Sequence, residues 1–103
     1  MKTKSIDVSK FFDNVPTTVT IKKFNAGDIA EIRSTVRVNM LGEIQNATPD
    51  MGTIFLLTLL KGIYQSPFQK NAKITMEEIR EIDGDIADFI ADEINTFNNI
   101  SPN

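Results

Sequence analysis

Hydrophobic positions along this chain change period several times, and each change predicts an element. In TTVTIKKF, residues 17–24, Val19 and Ile21 alternate with Thr18, Thr20 and Lys22. β-Branched residues at period two predict a half-buried strand. The next stretch, FNAGDIAEIRSTVRV, places Ile29, Ile32 and Val36 at helical spacing. Asn25 suits the N-cap with Asp28 three residues on, and Phe24 and Ile29 stand where a hydrophobic staple closes. The spacing predicts a helix to about residue 37. Residues 38–47 fit either a short strand around Gly42 or a loop.

Thr48-Pro49-Asp50 supplies a capping threonine, a first-turn proline and an acid, which together open a helix. That helix is expected to run to about Tyr64. Met51, Ile54, Phe55, Leu56, Leu57, Leu59, Leu60 and Ile63 leave it almost no wet face, the mark of a central core helix. Ser66-Pro67 ends it, and a polar linker over 68–73 follows. Ile74-Thr75-Met76-Glu77-Glu78-Ile79 then holds a capping box between Thr75 and Glu78, with Ile74 and Ile79 as its staple. Asp83-Gly84 breaks that short helix, and Asp83 is expected to cap a last one running to about Phe97. Residues 1–16, ending at Val15-Pro16, read as a flexible leader, and 99–103 as a frayed C-terminus. The whole predicts an α+β fold, mostly helical with three or four helices and a short N-terminal strand or hairpin, in one small domain over 17–98.

Composition narrows the chemistry. A chain of 103 residues, 41% hydrophobic and 24% charged, has room for one modest core. It has no cysteine and no histidine, which removes disulfides, thiol nucleophiles, imidazole bases and the common zinc ligand sets. Ser, Tyr and Lys occur in no spacing that suggests a nucleophile with its base, so no catalytic residue, metal ligand or cofactor is expected. MKTKSIDVSKFF lacks the apolar core of a signal peptide. The longest apolar stretch, MGTIFLLTLL, is half the length a bilayer needs. A cytoplasmic protein with no membrane partner is the expectation.

Charge is unevenly placed. Residues 1–73 carry ten Lys/Arg against six Asp/Glu, whereas Met76 to Phe97 carries eight acids and only Arg80. Clustered negative charge with scattered lysines is a poor match to a phosphate backbone, so no nucleic-acid partner is expected. Opposite charges on two parts of one chain can pair internally, or between neighbouring copies in a homo-oligomer.

The acids concentrate in EIDGDIADFIADEINTF, residues 81–97. An EF-hand loop counted from Asp83 puts Ala87 at its fifth position and Asp88 where glycine is required, so a calcium loop fails. On a helical wheel Ile86, Ile90, Ile94 and Phe97 form one apolar stripe. Asp85, Asp88 and Asp92 fall outside it, as a solvated face whose early acids favour the helix dipole. Phe89 lies about 95° from the stripe's centre, between Asp85 and Glu93. Either the short helix before it covers this ring, or Phe89 with Asp85, Asp88, Asp92 and Glu93 docks a basic, apolar partner.

Taken in order, Phe24-Asn25-Ala26-Gly27-Asp28, the run from Leu56 to Ser66-Pro67-Phe68, and Thr75-Met76-Glu77-Glu78-Ile79 with Asp85 resemble the small tail assembly chaperones of long-tailed phages and prophages. The resemblance spans about residues 17–97 and rests on order and spacing. It implies a non-enzymatic chaperone that binds the tape-measure protein, keeps it soluble and leaves as tail-tube protein polymerises. It also implies residence in the host cytoplasm during assembly and absence from the finished virion. Two other classes fit the residues: a structural tail or head–tail connector subunit, with TTVTIKKF as a lysine-guarded edge strand, and a small acidic adaptor.

Overall fold

The computed structural model describes the backbone of residues 1–42 and 51–100, and the side chains of 1–34 and 51–100. In chain order its elements are β1 (Thr3–Asp7), a 3-10 turn (Ser9–Phe11), β2 (Thr18–Lys22), α1 (Ala26–Gly42), α2 (Met51–Gly62), β3 (Ile63–Gln65), α3 (Met76–Arg80) and α4 (Gly84–Phe97). The described residues form an α+β fold with four helices and a three-stranded antiparallel sheet ordered β1-β2-β3.

The sheet is one-sided. Ile6 lies opposite Val19, and Ile21 opposite Ile63, and all four are buried. The other face carries Ser5 opposite Thr20, with their hydroxyls 3.5 Å apart. This in–out alternation is what an antiparallel sheet with one solvated face requires. The flexible leader expected over 1–16 is therefore corrected: residues 3–7 are a paired strand, and Val8 is fully buried. Beyond it, the Asp7 carboxylate accepts from both the Ser9 N–H and the Ser9 hydroxyl, starting the 3-10 turn. Two left-handed residues, Asp13 and Asn14, then reverse the chain into β2, a conformation these side chains tolerate better than most. Since β2 is flanked on both sides, the edge-strand role considered for TTVTIKKF is corrected too; β1 and β3 are the edges.

Asn25 and Asp28 cap α1 reciprocally. The Asp28 N–H donates to Asn25 Oδ1 at 2.8 Å, and the Asn25 N–H donates to Asp28 Oδ2 at 3.0 Å. The helix runs past residue 37 to Gly42, so part of the ambiguous 38–47 stretch is helical, and the rest lies outside the described residues. α2 is the hub, touching α1, α3, α4 and the two strands β2 and β3. It ends at Gly62 rather than Tyr64, because Ile63–Gln65 turns into the sheet and pairs with β2 through a bulge. Thr58, buried inside this apolar helix, donates to the Ile54 carbonyl at 2.8 Å and so leaves no orphaned hydroxyl.

α3 opens with the expected capping box: the Glu78 N–H donates to Thr75 Oγ1, and the Thr75 N–H donates to Glu78 Oε1. Asp83 occupies the N-cap of α4, but its side chain makes no cap hydrogen bond. α4 buries Ile86, Ala87, Ile90, Ala91 and Ile94 against α2 and β2. Its C-terminus closes with Asn99 left-handed, the Ile100 N–H on the Asn95 carbonyl and the Asn99 N–H on the Thr96 carbonyl, a Schellman motif. Asn98 then ties this end to the start of α1. Its Oδ1 accepts the Phe24 N–H at 2.7 Å and its Nδ2 donates to the Lys22 and Ile94 carbonyls. Lys23 adds a hydrogen bond to the Phe97 carbonyl and lies 4.8 Å over the Phe97 ring.

Candidate functional site

Two surfaces carry concentrated chemistry. The first is the polar side of α4. Asp85, Asp88 and Asp92 are exposed there, as the wheel predicts, while Glu93 is half-buried with its carboxylate 3.6 Å from Lys4 Nζ on β1. Phe89 is half-buried as well. The Phe11 ring lies 5.5 Å from it at a 58° tilt, and Lys10 Nζ sits 4.5 Å from its centroid. The ring is thus covered in part by the 3-10 turn of the N-terminal segment, a third arrangement beside the two weighed from the sequence, cover by the short helix α3 or docking of a partner. The structure brings Asp85, Asp88 and Asp92 together as one wet face but places the aromatic ring beneath a lysine. Among the described residues no three Asp or Glu side chains converge as a metal-holding group.

The second surface is a cavity of about 640 Å³ between the last turn of α2, the β2–β3 ladder and the 72–74 segment. Leu60, Ile63 and Ile74 give it apolar walls, and Lys22, Lys61 and Lys73 give it ammonium groups. Asp28 lies in the same wall and is 8% exposed. Its Oδ2 accepts from Lys22 Nζ at 3.0 Å. Burial pushes this carboxyl up, but the Asn25 N–H, the Lys22 ammonium and the more distant Lys61 outweigh burial and hold it below its ordinary value. Lys61 reaches Glu31 of α1 at 2.9 Å. Lys73 makes no ion pair among the described residues. Met1 and Tyr64, 81% and 42% exposed, form the rim.

A shallower polar trough of about 390 Å³ adjoins the cavity and shares Gln65 and Ala72 with it. Its lining adds the hydroxyls of Thr18 and Thr20 and the amides of Gln69 and Asn71. The Gln69 amide is already turned inward, donating to the carbonyls of Asn71 and Ala72 at 3.2 and 3.0 Å and so shaping the linker that frames both hollows.

Two other carboxylates are held below their ordinary values. Asp7 owes this to the Ser9 hydroxyl and N–H, and Glu78 to the Thr75 and Lys70 N–H groups. Both are fixing local backbone. Sequence reasoning missed the cavity because its groups come from five separate segments. The only local signal was the Asn25/Asp28 capping pair, which marks a helix start and conceals that Asp28 also anchors Lys22. No described helix is long and apolar enough to cross a membrane. Comparison with protein families, with curated proteins and with solved structures finds no match to this chain.

Proposed function

We propose that this chain is a non-enzymatic assembly chaperone of a long-tailed phage, holding apolar stretches of the tape-measure protein in solution in the host cytoplasm until the tail tube forms. The observation that carries the reading, beside the resemblance of residues 17–97, is the state of α2. Of its nearly all-apolar surface only Thr58, Leu59 and Gly62 are buried. Ile54, Phe55, Leu56 and Leu57 are half-buried, and Met51 is 61% exposed. Accessible apolar surface on a hub helix supports a binding role, since such patches mark interaction sites. Exposed acids at Asp85, Asp88 and Asp92 favour solubility and attract lysine-rich clients.

The test is co-expression with the tape-measure protein of the same phage or prophage, followed by affinity capture with mass spectrometry of the retained partner. A soluble complex, lost in a Met51→Glu variant that keeps its circular dichroism, is the expected result. Recovery of only this chain, or of tube and portal proteins in a closed ring, overturns the reading in favour of a structural subunit.

A further inference from the structure

We propose that the lysine-lined cavity and the trough beside it form one receptor for an extended polypeptide segment, which seats a carboxylate on an apolar stem between Lys22, Lys61 and Lys73. The charge balance sets the first half. Of the three lysines that line the cavity, Lys22 and Lys61 are paired with Asp28 and Glu31, and Lys73 has no ion pair among the described residues. A single lysine without a partner suits one carboxylate. Leu60, Ile63 and Ile74 remove its stem from water, and Lys73 supplies the donor not engaged elsewhere among the described residues. In such a partly dry setting a charge-assisted hydrogen bond is stronger than at an open surface.

The trough sets the second half. A small carboxylate would fill the cavity alone, at a volume typical of small-molecule sites. Here the hollow continues past Gln65 and Ala72 to the Thr18 hydroxyl and the side-chain amides of Gln65 and Asn71, groups suited to a peptide main chain and ill suited to an apolar tail, while the Gln69 amide is held by the linker. Exposed Tyr64 and Met1 at the rim extend the contact beyond the cavity mouth. The partner is therefore a polypeptide carrying glutamate or aspartate beside leucine-like residues. This site is distinct from the apolar face of α2 at Met51, so it stands or falls apart from the tail-assembly reading.

The test uses fluorescence anisotropy of the full chain with a labelled ten-residue peptide bearing one glutamate flanked by leucines in a Ser/Thr background, and its glutamine twin. The glutamate peptide is expected to bind saturably and about ten-fold more tightly than the twin, the scale of one charge-assisted contact. Lys73→Glu should abolish that preference, while Lys70→Glu, outside both hollows, leaves it within about two-fold. Amide chemical shifts should move at both Ile74 and Asn71. Equal affinity for the two peptides, or a preference untouched by Lys73→Glu, overturns the site. So do shifts confined to the cavity and reproduced by 4-phenylbutyrate alone, since they make the ligand a small carboxylate.

Discussion

Gly62→Ala is the sharpest test of how the core is closed. Gly62 ends α2 and is buried where that helix meets α4. A Cβ built there falls 2.5, 2.6 and 2.8 Å from Cδ1, Cγ2 and Cγ1 of Ile94, which is fully buried. Carbon atoms settle at about 3.5–4.0 Å, so the new methyl must be displaced by about 1 Å. Two of the three atoms are bonded directly to the Ile94 Cβ, and rotation of the side-chain tip does not clear them. Overpacking of this kind costs about 1–3 kcal/mol. Against it stands the helix preference of alanine, about 0.5–1 kcal/mol in a helix interior and less at a last residue. The net is a loss of about 1–2 kcal/mol. The chain has no tryptophan and one tyrosine, so urea unfolding followed by circular dichroism at 222 nm is the suitable assay. With a slope of about 1–3 kcal/mol per molar, the midpoint should fall by about 1 M. Repeating Gly62→Ala in an Ile94→Ala background removes the colliding atoms, and there the same change should be neutral or stabilising. A raised or unchanged midpoint in the wild-type background refutes the close approach of the two helices.

Three further perturbations address the other joints. Asp28 has a folded-state value below its ordinary 3.8, so its contribution is present above about pH 4 and lost as pH falls below it. Asp28→Asn should lower the urea midpoint at pH 6, and the gap from wild type should close towards pH 2.5; a gap independent of pH contradicts the Lys22 pairing. Phe89→Ser should cost about 2 kcal/mol, roughly half the range for a fully buried phenylalanine, because Phe11 and Lys10 lose their shared ring; a thermal melt matching wild type would show the ring to be free. Asn98→Ala strands the Phe24 N–H and should cost about 1–3 kcal/mol, with faster amide exchange at Phe24, whereas Asn98→Asp keeps that acceptor and should lose less.

Legibility of this fold follows the distance over which each element is decided. α3 and α4 were readable because their signals are internal: the Thr75/Glu78 box, the Gly84 start and the isoleucine stripe all lie within a few turns. β1 was not. It offers only Ile6 and Val8 in a polar stretch, and its stability comes from pairing with β2, fifteen residues away at Ser5 and Thr20. β3 was absorbed into α2 for a related reason, since apolar Ile63 and Tyr64 continue the helix until β2 captures them, a case of tertiary context overriding local preference. The acidic face of Asp85, Asp88 and Asp92 was legible from the wheel. The cover over Phe89 was not, because it comes from the 3-10 turn carrying Lys10 and Phe11. The Lys22–Asp28–Lys61 arrangement had no pattern to find, as only the folded chain brings a strand end, a helix cap and a last helical turn together.

The clip that Asn98 and Lys23 make between the end of α4 and the start of α1 has a bearing on biosynthesis. Phe24 and Asn98 are separated by 74 positions, and α4 supplies five of the fourteen buried residues of the described core, Ile86, Ala87, Ile90, Ala91 and Ile94. No nascent stretch ending before α4 contains that share of the interior. The ribosome therefore extrudes β1, β2 and the strongly apolar α2 before α4 is available to complete their cover, and long-range closure of this kind slows folding. Stable structure is acquired only when α4 emerges, as a late and concerted step. Arrest peptides placed after Arg80 should hold a protease-sensitive chain, and those placed well beyond Asn98 a resistant one.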